Sequence, residues 1–506
     1  MRENDFNDRS LSHRYDAAGQ LVERVNGLGQ SVAFTRDLLG NVVEQRSGDA
    51  VTTFEFDRAG KVARACGPDA ELSFEYDAQG RVTAETCNGR TVSSIYDVLG
   101  RRIRRRTPAG AESVWEYDPN DQLTALHSAG NSLRFSYDRS GREIKRQLGA
   151  AVLTQTWDND HRLRTQALTA QVEQREHLLQ RRAYTYRPDG VLTAIVDQAT
   201  GPREFDLDRA GRVTAVHGNG WVERYAYGAA GQLVHGAWPG GEDAVGDREY
   251  AGTLIQRAGG IRYQHDAQGR MVLKQCKRLS AKPDTWHYEW DAGDRLVGLR
   301  TPDGQRWRYR YDPFGRRIAK QRLDGATVVE QIDFSWDGPV LAEQTSPSRT
   351  TTWNFHAGTH EPITQADRDA TQAWVDAEFY AIVTDMIGTP TELVTPSGAV
   401  AWQARTTLWG NRSFERGAAY TPLRFPGQYH DPESGLNYNY IRYYDPVDGR
   451  YASGDPLGLD PAPDPHAYVA NPTGWVDPLG LAGIKWKCAE NSENVSREKN
   501  PTRRTS

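Results

Sequence analysis

YDAQGRV at Tyr76 to Val82, FDRAGKV at Phe56 to Val62 and YDAAGQL at Tyr15 to Leu21 are versions of one phrase: aromatic, Asp, two variable residues, Gly, one more, then an aliphatic. With YDVLG at Tyr96 to Gly100, the aspartates of the regular run are Asp16, Asp37, Asp57, Asp77, Asp97, Asp118, Asp138 and Asp158, each 20 or 21 residues from the next. Looser copies follow as RPDG (Arg187 to Gly190), LDRAGRV (Leu207 to Val213), HDAQGRM (His265 to Met271), WDAGDRL (Trp290 to Leu296) and YDPFGRR (Tyr311 to Arg317). An Asp at the first position of a turn caps the backbone N–H groups that follow, and a Gly three residues on supplies the positive φ that a bulged turn needs. Ahead of the Asp, aromatics lie two apart, as in Phe54 with Phe56, Phe74 with Tyr76, Trp115 with Tyr117 and Phe135 with Tyr137. That spacing puts them on one face of a strand. After the Gly, Leu21, Val42, Val62, Val82, Leu123 and Leu163 restart an apolar face. One period is therefore strand, tight turn, strand, second turn. A lone hairpin is marginal in water, so neighbouring periods must pair edge to edge into one long sheet.

The composition agrees. Of 506 residues, 48 are Gly and only 3 are Met, while Phe, Tyr and Trp number 13, 23 and 14, a bias toward strands and turns. A net charge of −5 gives no general pull toward nucleic acid. No run approaches the 18 apolar residues of a membrane-spanning helix, and the opening MRENDFNDRS lacks the apolar core of a secretory signal. Four cysteines exclude a disulfide scaffold. Cys66 and Cys87, 21 residues apart at nearly the same phase, read as neighbours across strands and as a thiol pair in preference to a disulfide; Cys276 and Cys488 have no visible partner. His356 and His360 lack a third ligand at a usual spacing, so no metal and no cofactor is expected. The basic run Arg101 to Arg106 reads as a solvated strand face whose stems cover aromatics, with no nucleic-acid partner.

The phrase resembles the YD repeat of the Rhs (rearrangement hotspot) family, found also in the C components of insecticidal toxin complexes and in teneurins. The resemblance implies an all-β fold that the spacing alone does not show: a sheet strip spiralling into a hollow shell that encloses a C-terminal toxin. Four regions are expected. Residues 1–330 are YD repeats, with longer loops or degenerate repeats at 160–186 and 236–262. Residues 331–422 are degenerate repeats leading into the core, still showing Trp336-Asp337-Gly338 and YAIVTDMIGTP at Tyr380 to Pro390. Residues 423–481 resemble the Rhs repeat-associated core, through RFPGQY (Arg424 to Tyr429), GLNYN and RYYDP (Gly435 to Pro446), GRY and DPLGL (Gly449 to Leu459), YVANP (Tyr468 to Pro472) and a second DPLGL (Asp477 to Leu481). Asp464-Pro465-His466 stands where the family usually has Asn-x-Tyr. Residues 482–506 form a short tip with six Lys or Arg and three Glu, far shorter than the family's toxin domains, so the toxin is expected to be absent or truncated.

The two DPLGL motifs set Asp455 and Asp477 in equivalent places, 22 residues apart. Spacing alone fits a plain Asp-Pro-x-Gly turn, and it also fits two carboxylates that share a proton and work as acid and base. The resemblance implies the second: aspartyl self-cleavage by Asp455 and Asp477 at the Leu481–Ala482 bond, with Arg450 orienting or balancing a carboxylate. It further implies partners of four kinds: the chain's own C-terminal segment, secretion-system spike and adaptor proteins, and an immunity protein. The place of action it implies is the cytoplasm before export, then secretion or delivery into a target cell. A non-enzymatic carbohydrate-binding surface built on the aromatic stripes, or an inert displaced fragment, are the competing readings.

Overall fold

The computed structural model describes residues 2–4, 7 and 9–485, apart from 174, 242, 279–281 and 370–377. Cys488 and most of the C-terminal tip lie outside the described residues.

Each corner is built as its residues require. At Asp77 the carboxylate Oδ1 accepts the N–H groups of Gln79 (3.0 Å) and Arg81 (2.9 Å), and the Gly80 N–H closes the turn on the Asp77 carbonyl (2.8 Å). Gly80 sits at φ +78°, in the left-handed region. Oδ2 takes the Arg81 Nε at 2.6 Å, and the same guanidinium reaches the Asp97 carbonyl of the next repeat (3.2 Å) while lying over the Tyr96 ring (4.9 Å). The aromatic hydroxyl stitches backward: Tyr96 Oη donates to the Val82 carbonyl at 3.0 Å, as Tyr227 Oη does to that of Val213 at 2.8 Å. The Asp–Arg corner recurs at Asp97–Arg101, Asp138–Arg142, Asp158–Arg162, Asp208–Arg212, Asp266–Arg270, Asp291–Arg295 and Asp312–Arg316. The period is thus a chain of local bonds handed from one hairpin to the next.

Repetition of that unit gives a 39-stranded sheet from Arg2–Asn4 to Arg412–Gly417, with each strand antiparallel to the one before it. No helix occurs among the described residues, so none is long and apolar enough to cross a membrane. The strip curls because strand twist accumulates in one sense. Its path is fixed by bonds between distant residues. Asn7 reaches Thr253 (2.7 Å), Gly27 reaches Gln268 (2.8 Å), Arg105 reaches the Trp353 carbonyl (2.6 Å) and Ala150 reaches that of Pro396 (2.9 Å). Both numbers rise together, so the second pass runs alongside the first in the same direction, which is a spiral and not a fold-back. The separation narrows from 246 residues at Asn7–Thr253 to 185 at Glu223–Leu408, so the turn tightens toward its end.

The period-two aromatics point inward. Trp115, Phe135, Tyr184, Phe205, Tyr225, Tyr263, Tyr288 and Tyr309 are buried in the core, while Phe54, Phe56, Phe74, Tyr76, Tyr117 and Tyr137 are half-buried.

Several expectations need correction. Of the two readings of 160–186 and 236–262, the strands fit degenerate repeats and not longer loops: the first holds the longest hairpin of the first pass, Leu163–Val172 with Arg175–Tyr186, and the second holds Gly246–Ala251 and Leu254–Ala258. Cys66 pairs in register with Glu71, and Cys87 with Leu72, on opposite sides of the strand Glu71–Tyr76. They are two strand spacings apart, about 9.5 Å, and both are free thiols. Burial pushes the Cys87 thiol up to about 12. The Arg101 to Arg106 run is only partly solvated: Arg105 is fully buried and binds Asp337, Asn354 and the Trp353 carbonyl across the seam between passes. His356 is a seam residue as well, 2.9 Å from the Arg146 guanidinium.

After Gly417 the chain turns into the space the second pass surrounds. A four-stranded sheet (Tyr429–Asp431, Leu436–Asn439, Arg442–Asp445, Arg450–Tyr451) is docked there by ions as well as by rings. Arg317 holds Asp431 through both guanidinium nitrogens and is ringed by Tyr309, Phe334, Tyr429, Tyr438 and Tyr443. Lys320 bridges Asp431 and Glu433, and Lys274 reaches Asp445 at 2.6 Å. Each of these charges is buried and paired, as burial demands.

Candidate active site

The hairpin linking Leu436–Asn439 to Arg442–Asp445 sets Asn439 opposite Arg442. The adjoining strand brings Tyr451 alongside Tyr444. The first DPLGL turn follows at once, held by the Asp455 N–H on the Pro465 carbonyl (2.9 Å) and the Gly458 N–H on the Asp455 carbonyl (3.0 Å). The second follows the short strand Trp475–Val476, which pairs with Ile484–Lys485 beyond it. Gly427 is needed here, because a Cβ on it would lie 2.0 Å from the Pro478 carbonyl oxygen.

Both aspartates are turn residues and paired residues at once. Asp455 Oδ1 accepts the Leu457 N–H (2.8 Å), and Asp477 Oδ1 accepts the Leu481 N–H (2.9 Å). Their Oδ2 atoms converge on one nitrogen: Arg442 Nη2 lies 2.8 Å from Asp455 Oδ2 and 3.2 Å from Asp477 Oδ2. Both carboxylates are buried, at 6% and 1% exposure. Arg442 also donates through Nε to the Gly480 carbonyl and through Nη1 to that of Pro465 (3.1 Å), and its guanidinium lies 3.6 Å from the Tyr451 ring centre. Tyr451 Oη donates to Asp477 Oδ2 at 2.8 Å, and Asn439 Nδ2 donates to the Tyr451 hydroxyl (2.7 Å) and to the Asp477 carbonyl (2.8 Å). The Asp477 carboxylate therefore accepts three donors, which fix its orientation. Asp455 has two, and burial outweighs the Arg442 charge: its carboxyl is pushed up to about 6, with a smaller upward push from Asp477.

Leu481 is partly buried and Ala482 exposed, so the chain emerges from the core at this bond. The peptide unit just before it is clamped, with the Gly480 carbonyl on Arg442 and the Leu481 N–H on Asp477.

Arg450 stands elsewhere. It binds Asp464 through both nitrogens (2.6 and 3.0 Å) and the Thr253 carbonyl (2.6 Å), anchoring the core to the strip. The arginine beside the two aspartates is Arg442. Asp464 and His466 have their own work, since His466 Nε2 lies 2.9 Å from the Gly269 carbonyl. Arg442 was readable within RYYDP, but nothing in spacing distinguishes it from Arg450, eight residues on. A guanidinium in a strand with no exposed position needs buried acceptors, and that burial is what marks it.

With this geometry in hand, the comparisons are consistent. The RHS Repeat family model matches residues 15–53 and 76–112, and the Teneurin YD-shell model matches residues 249–467. The chain is 37% identical over 311 residues to the probable deoxyribonuclease RhsA of Dickeya dadantii, covering 56% of this chain and 21% of that protein. It is 33% identical over 358 residues to the toxin protein Tse5 of Pseudomonas aeruginosa, covering 59% of this chain and 27% of that protein. The crystal structure of TcdB2-TccC3-TEV superposes with a TM-score of 0.76 at 15% identity, over 93% of this chain and 27% of that one. The fold is that of a YD-repeat shell. The chain belongs to the Rhs family, and it spans about a quarter or less of the length of these relatives.

Proposed function

We propose that this chain is the shell-and-core part of an Rhs toxin protein and that its core cuts the Leu481–Ala482 bond, releasing whatever follows. The observation that carries the reading is the convergence of Asp455 and Asp477 on Arg442 Nη2, beside the clamped Gly480–Leu481 peptide.

The roles follow from the surroundings. Asp477, fixed by its three donors, takes a proton from a water that adds to the Leu481 carbonyl carbon. Asp455, whose carboxyl burial pushes up to about 6, gives its proton to the carbonyl oxygen; as the C–N bond breaks, Asp477 passes the water's proton to the Ala482 nitrogen and Asp455 regains its own from a hydroxyl of the collapsing diol. The products are a Leu481 carboxylic acid and an Ala482 amine, which ionise in water to carboxylate and ammonium, and one water is consumed. Arg442 keeps two buried carboxylates compatible, and Tyr451 fixes Asp477.

The name of the relative Tse5, a toxin protein, supports a toxin setting, and in it the released segment is the cargo, with spike and adaptor proteins as carriers, an immunity protein as antidote, and export from the producing cell before action in a target. Intact mass spectrometry of the expressed chain tests the cleavage. Loss of the 25 residues after Leu481 is expected, and Asp455→Asn and Asp477→Asn, which keep the turn-capping oxygen, should each retain them. A full-length wild-type chain would rule out activity here.

A further inference from the structure

Away from the core aspartates, the seam between passes encloses a cavity of about 90 Å³. Its walls come from the first-pass strands Arg175–Tyr186 and Gly201–Leu207 and the second-pass strand Val400–Thr406. Five polar atoms of its lining residues are buried without a hydrogen-bond partner: Tyr184 Oη, Thr200 Oγ1, Thr389 Oγ1, Arg203 Nε and Gln403 Oε1. Four of the five can donate and only one is restricted to accepting. Burying such groups unpaired costs about 1–3 kcal/mol each, so an occupant is expected, and it must be rich in acceptors.

The charges agree. Arg182 is spent on Asp197 (2.9 Å) and Glu392. Arg203 and Arg405 also line the cavity and have no carboxylate within ion-pair distance among the described residues. Arg405 stacks over Trp221 at 4.5 Å and donates only to Ser413 Oγ (3.2 Å). After burial, the largest influence lowering its proton affinity is Arg203, so two like charges face the same space. Three wall carboxylates oppose an anion, Asp197, Glu223 and Asp385; Asp197 is held by Arg182 (2.9 Å) and also attracts Arg203. Glu223 is occupied by the Tyr225 hydroxyl (2.7 Å) and the Leu408 N–H (2.9 Å), and Asp385 by the N–H groups of Ile387 (3.1 Å) and Thr389 (2.9 Å). Burial pushes both upward, Asp385 to about 6, which weakens their opposition.

We propose that this cavity binds a small oxyanion, of the phosphate or carboxylate class, between Arg203 and Arg405, and that the bound anion ties the two passes of the spiral together. A volume of about 90 Å³ suits such an ion or about six waters. The proposal is independent of self-cleavage.

The test is calorimetric titration of the full chain, dialysed into anion-poor buffer, with inorganic phosphate and in a separate arm with acetate. Chloride at matched ionic strength is the control. A saturable one-to-one heat is expected with at least one of the two, together with a rise in Tm of a few degrees at saturation. Arg203→Gln should weaken binding at least tenfold, while Arg164→Gln, on an exposed position of a neighbouring strand, should leave it unchanged. The phosphate and acetate arms tell which class is preferred. If Arg203→Gln fails to fold, Arg405→Gln takes its place. No saturable heat from either anion, or equal binding by the arginine variants, would overturn the proposal and leave a water-filled cavity.

Discussion

The rim corners of the strip and the two corners of the core share Asp-x-x-Gly and differ at the next residue. On the rim that residue is commonly Arg, as in Asp97–Arg101 or Asp208–Arg212, and it takes the second carboxylate oxygen within its own turn. In the core it is Leu459 or Leu481. The first oxygen caps the turn in both places, but in the core the second has no local cation and must find one elsewhere. Both core aspartates find Arg442, from a strand neither belongs to. One side-chain change per corner thus converts a structural turn into a candidate chemical group. The two readings of Asp-Pro-x-Gly, turn or acid–base pair, are both satisfied because each oxygen serves one of them.

The strongest way to break this contrast is Arg442→Met. It strands two buried carboxylates, and about 3–5 kcal/mol of stability should be lost, read by urea unfolding, along with any cleavage. A rim-like destabilisation would mean that Arg442 is no shared counter-ion. A sharper test gives the core a rim-style partner. Leu459→Arg, at a position 43% exposed, places a cation four residues after Asp455. It should draw the Asp455 carboxyl down from about 6 and slow cleavage near neutrality, with the fold intact by circular dichroism. The sign is fixed by the direction of the shift. With a folded value raised above the unfolded one, protonated Asp455 contributes stability fully present below about pH 4 and lost as pH rises through about 6. Cleavage that uses Asp455 as acid should fall over the same upper limb, and the Leu459→Arg profile should shift to lower pH. An unchanged profile would remove Asp455 from the acid role. The smallest effect is expected at the rim. Arg212→Ala removes one partly exposed pair and its stacking over Tyr227, worth roughly 1 kcal/mol by thermal unfolding, with no change in cleavage.

What could be read beforehand divides along the same line. The corners, the strand faces and the pairing of successive hairpins were legible because each is settled within about 20 residues of chain, by Asp capping, Gly at positive φ and alternation of aromatics. The sequence of the long hairpin Leu163–Val172 and Arg175–Tyr186 fits a loop and a degenerate repeat alike, because its charged, corner-free stretch carries no turn residues to mark it as strand. Of the site, the two aspartates were legible from their duplicated motif. Arg442, Tyr451 and Asn439 were not, since none carries a periodic signal, and Arg450 was placed beside the aspartates although its partner is Asp464.

By itself the sequence determined a repeating antiparallel ribbon with an interior of aromatics, because those interactions join residues that are near neighbours along the chain. Only the tertiary structure decided which residues meet about 200 or more positions apart, such as Asn7 with Thr253 or Arg105 with Trp353, and which arginine lies between Asp455 and Asp477. The physical reason is that small twists added over dozens of strands set where one pass lands on another, and no short stretch of residues encodes that sum.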